Sequence, residues 1–203
     1  MKSKVYIKTY IAPKVDKNET LRYARCCEDE KSISLLDSCI SETEDILSYR
    51  VCYRRFPISL DGDKIDLDFT KTISHSLAIC LSECDEVIVF CATIGVAIDR
   101  VIAKHSLISP SRAVMLQALG NERVEALCDE FCSEMANDFA LSGRTLRPRF
   151  SPGYGDLALD IQRDIFSALD VSRNLGVYLG ENLMMTPQKS VTAIIGIRKG
   201  ATE

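Results

Sequence analysis

The most distinctive segment of the chain reads Arg147-Pro148-Arg149-Phe150-Ser151-Pro152-Gly153-Tyr154-Gly155-Asp156. Its two prolines and two glycines predict an irregular loop, because proline removes a backbone donor and glycine favours turns. Glycine also lets the backbone approach a ligand, arginine offers a planar fork for a carboxylate, and tyrosine offers a flat apolar face. The segment is therefore either a binding loop or a structural connection with a surface arginine. Its composition alone leaves both interpretations open.

On the amino-terminal side of this loop, apolar spacing predicts a strand followed by two helices. Residues 87–93 form a short continuous apolar run, which is typical of a strand buried on both faces. Residues 96–106 have helical spacing, and Pro110, with Ser109 as its N-cap, begins a long helix. The apolar stripe of this long helix consists of Val124, Leu127, Cys128, Phe131, Met135 and Phe139.

The remaining segments separate into helical and extended groups. Helical spacing covers residues 18–27, 32–49, 70–84 and 159–169, whereas residues 51–58, 177–179, 184–185 and 191–197 read as strands. Asp61-Gly62-Asp63 predicts the turn of a half-buried hairpin. Strands that cluster apart from long helices favour an α+β fold, with a mixed or antiparallel sheet and long helices packed on it.

Length and composition predict a single soluble domain spanning residues 1–203. The 203 residues are 46% hydrophobic and 27% charged, and the formal net charge of −4 leaves no basic surplus for nucleic acid. No apolar run approaches the roughly 20 residues that span a bilayer. The start, Met-Lys-Ser-Lys-Val-Tyr-Ile-Lys, lacks the apolar region of a secretory leader, so we expect a cytoplasmic protein with no membrane partner.

The chain has nine cysteines, which is an odd number, it is long enough to fold without disulfides, and it shows no export signal. These three features together indicate reduced thiols. Cys80/Cys84 and Cys128/Cys132 have i,i+4 spacing, which predicts that each pair lies side by side on a helix. Two alternatives follow: a metal or cluster site, or small buried apolar side chains. Because no Cys-x-x-Cys occurs, we expect no bound metal.

Other recognisable sites of chemistry are few. The sequence contains no Gly-x-Ser-x-Gly, no Gly-x-x-x-x-Gly-Lys and no Gly-x-Gly-x-x-Gly, and its two histidines, His75 and His105, stand outside any known motif. Glu125 and Asp129 lie four residues apart beside the apolar stripe of the long helix. They are either a functional carboxylate pair or part of a solvated charged face. We therefore predict no catalytic residue of the chain's own.

Three ordered motifs, and a helix segment upstream of them, resemble the activation (reactivation) domain of cobalamin-dependent methionine synthase. Arg-x-x-Pro-Gly-Tyr at 149–154 resembles the family's signature. The segment 176–187, with Gly-Val and then Leu-Gly-Glu-Asn-Leu-Met-Met-Thr-Pro, resembles its Gly-(Val/Met)-x-Leu-Thr-Glu-(Ser/Asn)-x-x-Met-x-Pro. Ser-Val-Thr-Ala at 190–193 resembles the family's Ser-Val-Ser-Gly, and Val-Glu-Ala-Leu at 124–127 resembles its Ala-Glu-Ala-(Phe/Leu).

This resemblance implies an activation-domain fold that binds S-adenosylmethionine and supports reductive methylation of oxidised cobalamin. Arg149 and the backbone of Ser151 would hold the methionine end and the adenine, and Glu125 would meet a cationic or hydroxyl group. Tyr154 would lie at the corrin side. Gly153 and Glu181 complete the implied ligand-binding residues.

The resemblance also implies partners. The chain would act as a stand-alone subunit on the cobalamin-loaded modules of a separate methionine synthase, with a flavodoxin or ferredoxin-type reductant, and without turnover of its own. The family's Pro-Ala-Cys-Pro is replaced here by 155–158, and its Tyr-rich strand is not found after 194–200. An alternative is therefore a docking module for a corrinoid methyltransferase that does not bind S-adenosylmethionine. A thiol-based metal protein is a third possibility.

Overall fold

A four-stranded antiparallel sheet organises the computed structural model, which describes residues 4–198 and Gly200. Of the sequence predictions, those on Met1–Ser3, Lys199 and Ala201–Glu203 lie outside the described residues. The elements in chain order are β1 Tyr6–Thr9, α1 Lys17–Ala24, α2 Glu30–Thr43, β2 Arg50–Pro57, β3 Ser59–Asp61, β4 Lys64–Asp66, β5 Lys71–Ile73, α3 His75–Cys80, β6 Cys84–Thr93, α4 Ala97–Ile108, α5 Pro110–Ala140, α6 Ile161–Leu169, α7 Val171–Leu175, β7 Tyr178–Leu179, β8 Met185–Thr186 and β9 Ser190–Arg198.

The main sheet has the order β1-β2-β6-β9, and every neighbouring pair is antiparallel. Strands β3, β4 and β5 form a small separate sheet, and β7 pairs with β8. The predicted α+β class, with an antiparallel sheet and helices packed on it, is confirmed. Among the described residues, no helix combines the length and apolar character needed to cross a bilayer.

Strand β6 separates two hydrophobic cores. Successive side chains of a strand point to opposite faces, so Ile88 and Phe90 join the core under α1, α2, α4 and α5. Val87 and Val89 face the other way, into a core formed largely with α3, α6 and α7. All four side chains are fully buried, which confirms the prediction of a strand covered on both faces.

The long helix α5 lies across one face of the sheet. It begins at Pro110 with Ser109 as its N-cap residue, as predicted, although the serine side chain makes no capping hydrogen bond. Its predicted apolar stripe is buried from Val124 to Met135, and Phe139 is half-buried. The opposite side of α5 is left for charged residues, including Glu125 and Asp129.

Three sequence predictions between residues 32 and 84 are wrong. The helix predicted over 32–49 ends at Thr43, because Ser48 donates to the carbonyl of Ile94 and the following residues enter β2. The helix predicted over 70–84 is strand β5 followed by the short α3. Cys80 and Cys84 therefore do not share a helix, since Cys80 ends α3 and Cys84 begins β6, whereas Cys128 and Cys132 do lie together on α5.

Candidate functional site

Residues 145–150 lie along the outer edge of β9. Phe150 and Ile194 exchange backbone hydrogen bonds of 2.8 and 2.9 Å, and Arg147 donates to the carbonyl of Gly196 at 2.8 Å. These contacts are isolated bridges, because the prolines prevent a continuous ladder. Phe150 is thereby fixed to the sheet, and Arg149 next to it emerges at a defined position.

After Phe150 the chain turns sharply. The N–H of Tyr154 donates to the carbonyl of Ser151 at 3.1 Å, and the N–H of Gly153 donates to that of Leu157 at 2.9 Å. Gly153 has φ +83°, a conformation that glycine adopts without steric cost. The ring of Tyr154 meets Phe150 edge-on at 6.0 Å between centroids and is 72% exposed. The turn therefore presents a flat aromatic face to solvent.

Asp156 ties this turn to the N-terminus of α3. Its carboxylate accepts from the Ser74 hydroxyl at 2.6 Å and from the N–H groups of His75 and Ser76 at 2.7 and 3.1 Å. The Ser74 hydroxyl bond is the largest cause that holds the pKa of Asp156 below its usual range. The residues that replace the family's Pro-Ala-Cys-Pro thus anchor the loop.

Arg149 forms a three-residue ion cluster with α5. Its Nη1 donates to Oδ1 of Asp129 and its Nη2 to Oε2 of Glu125, each at 2.6 Å. Burial alone would lower the pKa of the guanidinium, but Cys128 and the two carboxylates raise it above its ordinary value. Arg149 is therefore charged at any physiological pH, and both terminal nitrogens are in use.

An acidic cavity of about 740 Å³ opens on one side of this cluster. Six carboxylates line it against two cationic side chains, Lys14 and Arg149. The six belong to Asp16, Glu19, Glu122, Glu125, Asp129 and Glu130, and Tyr23 is also in the wall. Two of the six are also paired outside the lining, Glu19 with Arg22 and Glu122 with Arg123. The six carboxylates still outnumber these four cations, so the cavity favours a ligand with net positive charge.

A buried ion pair builds the far wall of the acidic cavity. Arg123 and Glu122 are almost completely buried and bonded to each other. Arg123 also donates to the carbonyls of Pro13 and Lys14, and Glu122 accepts from the N–H of Asp16 at 3.0 Å. These bonds hold residues 13–16 against α5, and so bring Asp16 and α1 to the site.

A second, more apolar cavity of about 520 Å³ lies on the other side of Arg149. Arg149, Asp129 and Ser133 line both cavities. The apolar lining of the second cavity is Cys132, Ala136, Leu146, Pro148 and Ile195. The two cavities therefore adjoin at the Arg149–Asp129 ion pair, with Arg147 as a further cation in the wall of the second, and we refer to the two together as the groove.

A third concavity, of about 490 Å³, lies on the small β3–β5 sheet. None of the predicted site residues lines it, and its charged residues include the exposed Lys71–Asp66 ion pair. We therefore place the candidate site at Arg149 and not at this sheet.

Comparison with known proteins gives one kind of match. No protein-family profile matches the chain, and no curated protein matches its sequence. In three dimensions it resembles the crystal structure of the MetH reactivation domain bound to AdoHcy, with a TM-score of 0.72 over 100% of this chain and 80% of that chain. The chain has the fold of a MetH reactivation domain. Because sequence identity is 15%, this structural similarity establishes the fold alone.

Within the reactivation-domain fold, the predicted site residues divide into two groups. Arg149 and Glu125 are in direct contact, and Ser151, Gly153 and Tyr154 follow in the adjoining turn. Glu181 lies in the β7–β8 hairpin, where its carbonyl accepts from Arg163 of α6 at 3.0 Å. Among the described residues, no contact joins Glu181 to the Arg149 cluster, and its role stays a prediction.

The sequence patterns did not predict the acidic wall made by Asp16, Glu19 and Glu122. These residues carry no motif, and the first two are brought to α5 by the bonds of Glu122 and Arg123 to residues 13–16 and by the packing of α1 on α5. All nine cysteines are free thiols. In the part of the chain that the structure describes, no group of three or more cysteine, histidine or acidic side chains is arranged to hold a metal.

Proposed function

We propose that the chain binds S-adenosylmethionine at Arg149 and supports the reductive methylation of oxidised cobalamin on separate methionine synthase modules. The observation that carries the proposal is the position of Arg149 between an acidic and an apolar cavity, in a fold whose solved counterpart is bound to AdoHcy. AdoHcy is what S-adenosylmethionine becomes when it gives up its methyl group.

The charges of the site suit this ligand. S-adenosylmethionine has a carboxylate, an ammonium and a sulfonium, so its net charge is positive. Arg149 offers the planar fork for the carboxylate, and Glu125 an acceptor for the ammonium. The surplus of carboxylates in the acidic cavity favours the sulfonium. When bound, the ligand supplies a methyl group on a positively charged sulfur.

The apolar cavity and the loop suit the rest of the ligand. Cys132, Ala136 and Leu146 offer apolar surface to an adenosine, and the sequence resemblance implies that the backbone of Ser151 meets its adenine ring. Glu181 enters the site only through the sequence resemblance. These residues bind and orient, and none of them is assigned a proton transfer.

The proposed partner is a cobalamin-loaded synthase, with a flavodoxin or ferredoxin-type reductant as electron donor. Tyr154 supports such an arrangement because its ring is exposed on the turn that follows Arg149 and packs edge-on against Phe150. An exposed aromatic side chain on a rigid turn is typical of an interaction surface. We propose that the chain has no turnover unless this partner is present.

Isothermal titration with S-adenosylmethionine tests the proposal. Wild type should bind, and Arg149→Ala should bind about ten- to a hundredfold more weakly, because one charge-assisted contact is lost. Arg173→Ala is the matched control, since Arg173 is exposed on α7 and lines neither cavity. Equal affinities of the two variants, or no heat from wild type, would contradict the proposal.

A second candidate function is a docking module that caps a corrinoid protein without S-adenosylmethionine. The observation that favours it is the pairing of both terminal nitrogens of Arg149 with carboxylates of the same chain. Co-purification with a cobalamin-loaded synthase separates the two. Complex formation that is indifferent to S-adenosylmethionine, together with no heat on titration, would support the docking module.

A further inference from the structure

The two carboxylates that hold Arg149 are not equivalent. The Glu125 side chain is 39% exposed and lines only the acidic cavity. The Asp129 side chain is 73% exposed and lines both cavities, as Arg149 does. A ligand that extends from one cavity into the other must therefore pass over the Arg149–Asp129 ion pair.

The difference in exposure between Glu125 and Asp129 determines which of their ion pairs with Arg149 breaks more readily. An ion pair with a solvent-exposed partner contributes little, because water solvates the released carboxylate. Separating the less exposed Glu125 from Arg149 costs more free energy, because water solvates the released Glu125 carboxylate less completely. The bond from Nη1 to Asp129 is thus the one that another carboxylate replaces most readily.

We infer that Asp129 is an exchangeable counter-ion of Arg149, which holds the guanidinium until the carboxylate of a ligand displaces it. This inference rests on the proposed function and deepens it. Glu125 keeps its bond to Nη2 throughout, so Arg149 stays oriented while Nη1 changes partner. Asp129 then lowers the affinity for carboxylate-bearing ligands, although it contributes a negative charge to a cavity that favours cations.

The neighbouring Glu130 makes this inference testable. Glu130 lines the same acidic cavity and has the same charge as Asp129, but no ion pair of the described residues joins it to Arg149. Asp129→Asn and Glu130→Gln therefore remove equal charge, and only the first releases Arg149. If the two residues serve only to attract a cation, both substitutions weaken binding.

Isothermal titration with S-adenosylmethionine, on variants whose thermal unfolding shows them folded, decides the matter. We expect Asp129→Asn to bind about two- to fivefold more tightly than wild type, the range of an exposed ion pair, and Glu130→Gln not to gain. 5′-Methylthioadenosine, which has the nucleoside and the sulfur without the amino-acid group, should bind both Asp129→Asn and wild type equally.

The outcomes separate the inference from the proposed function. If wild type binds S-adenosylmethionine and Asp129→Asn binds it no more tightly, the role given to Asp129 is wrong and the proposed function stands. An equal gain for 5′-methylthioadenosine would also overturn that role, because the gain would not depend on a carboxylate. If neither wild type nor the variants bind S-adenosylmethionine, the proposed function itself fails, and the inference fails with it.

Discussion

Asp156 accepts a hydrogen bond of 2.7 Å from the backbone N–H of His75, and so joins the Arg149 loop to the first turn of α3. The Ser74 hydroxyl and the Ser76 N–H complete this cap. One carboxylate thus ends a loop and caps a helix that begins 81 residues earlier in the chain. The cap fixes one end of the turn after Arg149, and the bonds between Phe150 and Ile194 fix the other.

The cap predicts a pH-dependent stability. The pKa of Asp156 is lowered in the folded protein, first through Ser74 and then through the backbone of His75, so its contribution is complete above the ordinary aspartate pKa of about 3.9. The contribution is lost as the pH falls through the lowered folded value. Asp156→Asn should lower Tm near neutral pH, and the difference from wild type should shrink in acid. Thermal unfolding of both proteins from neutral to acid pH measures the difference in Tm. A difference that stays constant with pH would contradict the role given to the Asp156 carboxylate.

Gly155 predicts a steric effect at the same junction. It has φ +55°, and a Cβ there would lie 2.8 Å from Oγ and 3.0 Å from Cβ of Ser76. Gly155→Ala should therefore cost the roughly 1–2 kcal/mol of a left-handed alanine and a steric term in addition. Gly62→Ala is the control, with φ +59° and no atom within 4 Å of its added Cβ. Urea unfolding should show a larger loss in the free energy of unfolding for Gly155→Ala than for Gly62→Ala. Equal losses would mean that the contact with Ser76 adds no steric cost.

The Glu122–Arg123 pair predicts a large effect on stability. Arg123→Met leaves the Glu122 carboxylate buried without its partner, which should cost about 3–5 kcal/mol in the free energy of unfolding. The double variant Glu122→Met/Arg123→Met should lose less than Arg123→Met alone, because no charge is left buried. Urea unfolding of the three proteins tests this. A double variant that is less stable than Arg123→Met would contradict this, because removing the unpaired charge would then bring no gain.

The acidic cavity predicts discrimination by charge. S-adenosylmethionine should bind more tightly than AdoHcy, because only the former has a sulfonium to interact with the surrounding carboxylates. The preference should shrink when NaCl is raised from about 0.05 M to about 0.5 M, since salt screens exposed charges. Titration of both ligands at the two salt concentrations measures it. Equal affinities for the two ligands at low salt would mean that the carboxylates do not stabilise the bound sulfonium.

Tyr154 predicts a defect in partner binding without a defect in folding. Its side chain is exposed, so Tyr154→Ala should change the free energy of unfolding by no more than about 0.5 kcal/mol. Affinity for a cobalamin-loaded synthase should fall about tenfold or more if the ring is a binding hot spot. Tyr178→Ala, an equally exposed tyrosine of the β7–β8 hairpin, serves as the control. Equal effects of the two substitutions on co-sedimentation would argue against a docking role for the loop.

The elements that could be predicted are those whose burial leaves a pattern in the sequence. β6 is covered on both faces, so its apolar run is continuous, and the stripe of α5 repeats over four turns. β1 is a short edge strand with exposed side chains, and it leaves no such pattern. Residues 70–84 have helical spacing, but the start of α3 is set by Asp156, a contact that spacing cannot reveal.

The candidate site could be predicted where its residues lie within the segments that carry the resemblance. The resemblance identified Arg149 and Glu125, and the structure brings them together. Glu125 and Asp129 are partly exposed, as a solvated face would be, and both are nevertheless paired with Arg149, so the two sequence interpretations each describe part of the arrangement. Asp16 and Glu19 reach the site through residues 13–16 and Arg123, over about a hundred residues of chain, and local sequence gives no sign of that.

Phe150 is held to Ile194 by two backbone hydrogen bonds, and this has a consequence for the residue before it. The backbone at Arg149 is thereby bonded to the sheet edge one residue later, while its guanidinium projects from that edge on a long side chain. Changing the partner of this guanidinium requires a rotamer transition of Asp129, which is 73% exposed, and such transitions take nanoseconds or less in exposed side chains and need no opening of the backbone. Ligand exchange at this groove would therefore proceed at a speed set by diffusion and solvation instead of by movement of a flap.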